Sequence, residues 1–313
     1  MATLEREVGG EAARARGWGF VLDEPRWLGP LMIGPAVLYI ALVVGVPFFL
    51  ALYYSLSDIS MGSRSLGFVG LKNFASVAGT TKFQASLKNT FIFAIASQVL
   101  VMGLGTVLAL ALLRDFRGKW FVRLLILLPW VAPISLGTIG WLWILDSTYS
   151  VINWTLEALG LIRADGWFMW LGIPYLAMSS IIAVHVWRIL PLATVILLAG
   201  LTSIPHDIHD AAQVDGAGFW RHLFQITLPL VRPIILVAGL FGLVFAFTDM
   251  IVIFVLTRGG PYDTTQVLAT LAFFTGIQGG DIAEGAAVAL FLFPLLLAVA
   301  IAFLRVARRA EVT

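Results

Sequence analysis

The chain has 313 residues, 60% of them hydrophobic and only 12% charged, with a mean hydropathy of +0.95. A soluble domain carries about 25% charged residues, so this composition excludes an ordinary water-soluble globule. A net charge of +2 without an aromatic-interleaved basic patch gives no hold for nucleic acid, and the absence of cysteine excludes disulfides and thiolate chemistry.

A mixed-charge tail precedes the first apolar run, predicted at 30–54. That run is too long for a signal-peptide core, so no cleaved leader is expected. Further runs follow at 91–113, 121–145, 176–200, 233–256 and 282–306. Each is long enough to cross ~30 Å of hydrocarbon at ~1.5 Å per residue. Helices satisfy their own backbone groups within such a segment, so the expected class is an all-α integral membrane protein of about six spans. The stretches 57–89 and 146–170 are too short to bury a core and should lie on the membrane surface or against a partner. Trp141, Trp143, Trp154, Trp167 and Trp170 flank the runs as interfacial anchors would.

Positive charge is distributed unevenly. Arg6, Arg14, Arg16 and Arg26, then Arg114, Arg117, Lys119 and Arg123, then Arg221 and Arg232, and finally Arg305, Arg308 and Arg309 fall on one side. They outnumber Arg64, Lys72, Lys82, Lys88, Arg163 and Arg258 on the other. The positive-inside rule puts both termini and the loop 205–229 in the cytoplasm. The expected organisation is a cytoplasmic tail at 1–29, a membrane domain at 30–306 and a cytoplasmic tail at 307–313.

The loop 205–229 is the one polar, turn-bearing segment able to form a separate structure. Pro205 ends the fourth run, and Asp207 is a candidate N-cap for a short helix from Ile208. Asp210, Ala211 and Ala212 continue it with small side chains, and Asp215-Gly216 supplies a turn. Phe219, Leu223, Phe224 and Ile226 then give an amphipathic helix, and Pro229 and Pro233 mark the return to the membrane. The residues alone predict a helix–turn–helix projecting from the bilayer.

Asp210-Ala211-Ala212, three residues, Gly216, nine residues and Ile226-x-Leu228-Pro229 resemble the cytoplasmic loop signature of ABC-importer permeases, with Asp210 in place of the usual Glu. Phe68-Val69-Gly70-Leu71-Lys72-Asn73-Phe74, Leu128-Pro129 with Pro133, Val186-Trp187-Arg188 with Pro191, and Leu256-Thr257-Arg258-Gly259-Gly260-Pro261 are similar to the sugar-uptake branch of that family. The resemblance extends over nearly the whole chain, about 30–309. It implies a type I ABC-importer permease fold with a cytoplasmic coupling helix, in a bacterial inner (plasma) membrane and crossing it several times. It also implies a second, homologous permease forming a heterodimer, two ATP-binding subunits, an extracytoplasmic solute-binding protein and surrounding lipid. Asp207, Asp210, Ala211, Ala212, Asp215, Gly216 and Ala217 would then engage an ATPase. The chain has no Gly-x4-Gly-Lys-Ser/Thr loop, so ATP and Mg would be used by partners, and no cofactor or enzymatic activity is expected here.

Ionisable groups at bilayer depth usually face a protein interior or a water-filled cavity. His185, Arg188 and Leu192 follow helical spacing on one face, as do Gly242, Phe245 and Asp249. Carried over from maltose-type permeases, the substrate pathway would include His185, Arg188, Ile189 and Leu192 with Gly242, Phe245, Ala246 and Asp249. Phe245 would stack on a sugar ring and His185 or Asp249 would bond hydroxyls. Arg188 and Asp249 forming an internal ion pair is the competing reading. His206, His209 and His222 lie in a polar loop without cysteine, and no metal site is expected there. Gly259-Gly260-Pro261-Tyr262 is most simply a turn at the outer membrane surface, with contact to the binding protein as the other reading.

The function expected is therefore a permease for a sugar or oligosaccharide, with glycerol phosphate or another polyol derivative as the alternative cargo. A secondary transporter is the alternative of another class, but paired interrupted segments of an inverted repeat are lacking. An intramembrane enzyme would need a nucleophile with its base or a metal motif, and neither occurs.

Overall fold

The computed structural model describes residues 25–63 and 66–311, and among them all regular structure is helical apart from one antiparallel bridge, Ser57 with Phe68. Arg6, Arg14, Arg16 and Arg64, most of the predicted tail 1–29, and the side chains of Arg26, Arg308 and Arg309 lie outside the described residues. The chain divides into a unit ending at Tyr53 and a larger one from Tyr54 onward.

The first unit is built on helix α1, Leu28–Ser55, close to the predicted 30–54. It accommodates Pro30 and Pro35 and relaxes into a π-helical stretch, Ala41–Gly45. Its side chains from Leu31 to Val44 are largely exposed, a surface suited to lipid or a partner chain rather than water.

In the second unit a short α2, Lys72–Ala78, leads into α3, Thr81–Leu113. Its 33 residues extend about 50 Å, so it begins ten residues before the predicted start. Hydropathy conceals this first part because Lys82, Gln84, Lys88 and Asn89 lie in it. The Thr80 hydroxyl accepts the Phe83 N–H and fixes the start. Thr90, Ala94, Ser97, Val101, Gly105 and Ala109 recur at helical spacing and are all buried, giving α3 a narrow small-residue seam.

The third predicted span, 121–145, is not one straight helix. It is α4, Lys119–Val131, and α5, Ile134–Ile144, bent by 97°. Ala132 is extended (ψ 140) and Pro133 follows, because proline removes an N–H and pushes its predecessor out of the helical region. Outside it α6, Val151–Ala158, is anchored by buried Asn153, whose amide bonds the Phe168 backbone at both ends and the Trp170 indole.

Helix α7, Pro174–Thr202, is the central element. Of its apolar core 56% is buried, against 28% for α3. Gly105 of α3 faces Ala193 and Leu197 of α7, where a side chain would lie only 3.4 Å from either. The polar loop forms α8, His206–Val214, and α9, Phe219–Leu230, and a 73° bend leads into α10, Arg232–Thr248.

The fifth predicted span, 233–256, is also interrupted. Backbone helix stops at Thr248, Asp249 is extended, and α11 resumes as Ile251–Leu256. One element was not foreseen: α12, Leu268–Gln278, ending in a π-helical turn before α13, Ile282–Glu311. Gly276 and Gly285 let α12 and α13 meet backbone to backbone; a Cβ on Gly276 would sit 3.1 Å from Gly285 Cα. Among the described residues four helices are long and apolar enough to cross a membrane, and six if each bent pair is one span.

Candidate functional site

The interruption after α10 positions Asp249, the only buried acidic side chain among the described residues. Asp249 Oδ2 accepts from Arg188 Nη2 at 2.9 Å and from His185 Nδ1 at 2.6 Å, while Oδ1 accepts the Val252 N–H at 3.2 Å. Asp249 thus caps the first turn of α11 and ties it to α7. His185 and Asp249 side chains are each 1% exposed and Arg188 is 16% exposed. The His185 ring meets the Phe93 ring edge-on, with centroids 4.9 Å apart. Such a group holds together only as a set, because charges out of water need partners.

Of the two sequence readings for Arg188 and Asp249, the geometry is that of the internal ion pair. His185, expected on a face open to cargo, is enclosed: helical spacing fixes a face but not what covers it. Ile189, Ala246 and Gly242 are buried as well, whereas Leu192 and Phe245 are half-buried. Phe245 packs with Ile189, Val186 and Val101 and meets the Trp130 ring edge-on at 5.6 Å. Gly242 lies against the Gln98 amide, so closely that a Cβ there would collide with Gln98 Oε1. Gln98 and Trp130 were not among the predicted residues. A glutamine inside an apolar run was the available signal for the first.

At the other end of α7 the α8–α9 hairpin has the predicted outline with one correction. The N-cap of α8 is Pro205, with no side-chain cap, and Asp207 falls in the first turn, where its charge suits the helix dipole. Gly216 adopts φ 68 at the turn, and the Ala217 N–H bonds Ala212 O at 2.9 Å, closing the helix end. Asp207, Asp210, Ala211, Asp215 and Gly216 are exposed, Ala217 is half-buried and Ala212 packs inward. Val214 stands 88% exposed at the tip.

The loop histidines join the two arms. His209 Nδ1 and His222 Nε2 share a hydrogen bond of 2.9 Å, and His222 Nδ1 meets the Thr227 hydroxyl at 3.2 Å. Burial first, then the neighbouring His222 and His206, hold His209 below the usual histidine range. A groove of about 1200 Å³ opens between this hairpin and the ends of α3 and α7, lined in part by Arg114, Phe116, Thr202, Asp210 and Trp220.

The turn at 257–266 is rigidly built. Arg258, Tyr262 and Asp263 all take positive φ, as does Gly259, where a Cβ would lie 2.5 Å from Gln266 Oε1. Thr257 and Thr265 hydroxyls bond each other, Asn89 donates to Gln266 O, and Lys82 pairs with Asp263 at 3.4 Å. Tyr262 is 94% exposed at its apex.

Residues 101–312 match the family described as the binding-protein-dependent transport system inner membrane component. The chain belongs to this family. The permease is 33% identical over 281 residues to the trehalose/maltose transport system permease protein of Thermococcus litoralis, covering 90% of this chain and 94% of that one. It is 32% identical over 289 residues to the sulfoquinovosyl glycerol transport system permease protein of Agrobacterium fabrum, covering 91% and 92%. Its fold matches a chain in the crystal structure of a bacterial alginate ABC transporter in complex with an alginate pentasaccharide-bound periplasmic protein. The TM-score there is 0.78 at 22% identity, with 90% of the permease and 94% of that chain covered. The fold is that of an ABC-importer permease, and the permease is a multi-pass component of the inner membrane. Family membership is that of a transport component and does not favour the secondary transporter.

Proposed function

We propose that the permease is one membrane subunit of an ATP-driven, binding-protein-dependent importer of a sugar or oligosaccharide. The observation that carries this is the near full-length similarity to permeases named for trehalose, maltose, sulfoquinovosyl glycerol and diacetylchitobiose. Glycerol phosphate is disfavoured, since Arg188 already spends its charge on Asp249.

Its partners would be a second homologous permease, two ATP-binding subunits that use ATP and Mg, and an extracytoplasmic solute-binding protein. The positive-inside pattern supports cytoplasmic termini and a cytoplasmic α8–α9 hairpin. With its exposed Asp207, Asp210, Ala211 and Val214, α8 has the shape of a short rigid peg for an ATPase cleft. Closure of the ATPase pair on ATP would turn the attached spans as rigid bodies. The Arg188–Asp249–His185 group joins α7 to α11 across the break, so both would move together. Phe245, with Leu192, would offer the cargo an apolar face. Tyr262, on its rigid turn, would meet the binding protein.

Reconstitution of the complete importer tests this. Saccharides delivered by the binding protein should stimulate ATP hydrolysis and enter the vesicles. Stimulation by phosphates or peptides with no response to saccharides would reject the assignment.

A further inference from the structure

Among the described residues five buried side-chain donors have no acceptor, Ser86 Oγ, Ser97 Oγ, Gln98 Nε2, Arg188 Nε and Gln266 Nε2; of these, Gln98 lies against Gly242 and Arg188 bonds Asp249. A buried N–H left this way is unfavourable, and in a transporter it marks a place where another molecule can supply the acceptor. The two differ in what they offer. Arg188 is already committed, with Nη2 on Asp249, and the pair carries no net charge. No neighbour accepts from the Gln98 Nε2.

The surroundings of Gln98 are shaped for its amide. It projects from α3 toward Gly239 and Gly242 of α10, on whose face any Cβ at 242 would collide with it, and one at 239 would lie 3.8 Å from Nε2. Gly242 therefore clears the space the amide occupies, whereas the close neighbour that Gly239 accommodates is the Phe303 ring. Val101, one turn further along α3, belongs to the cluster against which Phe245 and Trp130 pack. A neutral donor thus lies one helical turn, along both α3 and α10, from residues that form the edge-to-face aromatic cluster. That is the combination a sugar uses, with C–H faces against rings and hydroxyls on amides.

We infer that Gln98 is a specificity-determining residue of the cargo pathway, donating its amide N–H to a hydroxyl of an uncharged saccharide that lies against Phe245 and Trp130. This rests on the sugar-import reading and narrows it. A uronate or phosphate cargo would call for an unpaired cation, whereas here the donor left open is neutral.

The test uses the assembled importer with its own binding protein in proteoliposomes. The probes are labelled maltose, trehalose and diacetylchitobiose, with an alginate oligosaccharide as the charged counterpart. The wild type should import at least one neutral probe and not the acidic one. Gln98→Met keeps the length and removes the donor. It should cut uptake of that probe about tenfold without lowering the melting temperature. Gln98→Asn should recover part of the loss. Should Gln98→Met misassemble, Gln98→Leu, of similar size and likewise without the donor, takes its place. Unaltered uptake by the donorless variant, or a loss of stability in step with uptake, overturns the role of Gln98. Preference for the acidic oligosaccharide overturns the uncharged class, and import of none of the saccharides sinks the sugar reading itself.

Discussion

Replacing Asp249 with Asn removes one charge and almost no volume from the centre of the membrane domain. At 2.9 Å its attraction to Arg188 is about 6 kcal/mol at an effective dielectric of about 20, before the cost of desolvating both groups. Stripping one partner from a buried pair typically costs about 3–5 kcal/mol, because the other is left uncompensated. Arg188 retains 16% exposure, which places Asp249→Asn near the lower end, about 3 kcal/mol. Arg188→Met should cost less, about 1–2 kcal/mol, since Asp249 keeps His185 and the Val252 N–H. The double variant should be more stable than the sum of the single losses by about 2 kcal/mol, and its uptake should exceed that of Asp249→Asn. Unfolding of the purified protein in detergent, paired with uptake in vesicles, reads both quantities. Strictly additive losses, or an Asp249→Asn variant as stable as wild type, would refute the latch.

Gly285→Ala forces α12 and α13 apart where their backbones touch, so unfolding should show a loss of at least 1–3 kcal/mol, the cost of overpacking. Gly216→Ala places a side chain at φ 68 and should weaken the hairpin by about 1–2 kcal/mol, with Gly216→Asn nearer neutral; binding-protein-stimulated ATP hydrolysis should fall in the same order. His209 titrates below its unfolded value, so the unfolded hairpin takes up the proton first. Hairpin stability should be complete above the ordinary histidine value and decline as pH falls through the depressed one. Hydrogen exchange over 206–222, corrected for its intrinsic pH dependence, should show this in wild type and lose it in His209→Gln.

Much of this architecture was legible because the bilayer enforces it. Long apolar runs can only be helices, and the spans at 30–54, 176–200 and 282–306 needed little revision. The polar start of α3 was hidden because a helix beyond the hydrocarbon need not be apolar. The breaks at Pro133 and at Asp249 were missed for different reasons. Pro133 carries a local signal that five prolines inside helices, Pro30, Pro35, Pro129, Pro191 and Pro294, do not obey, so the residue type alone does not say which one bends the chain. The interruption at Asp249 has no local signal and is stabilised from a distance by α7. Residue spacing placed His185 and Arg188 on one helix face and Asp249 on a face of another, but only packing shows that they bond one another. Gln98 escaped notice because its setting depends on Gly242 opposite it, on a helix more than a hundred residues away in sequence.

The most direct test of coupling through α8 exploits a chain that contains no cysteine. A single Val214→Cys variant, labelled with a short bifunctional reagent in membranes of the native host, should be captured by an ATP-hydrolysing subunit, and deleting 206–218 should abolish ATP-dependent sugar uptake. Uptake that persists through that deletion, with no such subunit captured, would contradict it.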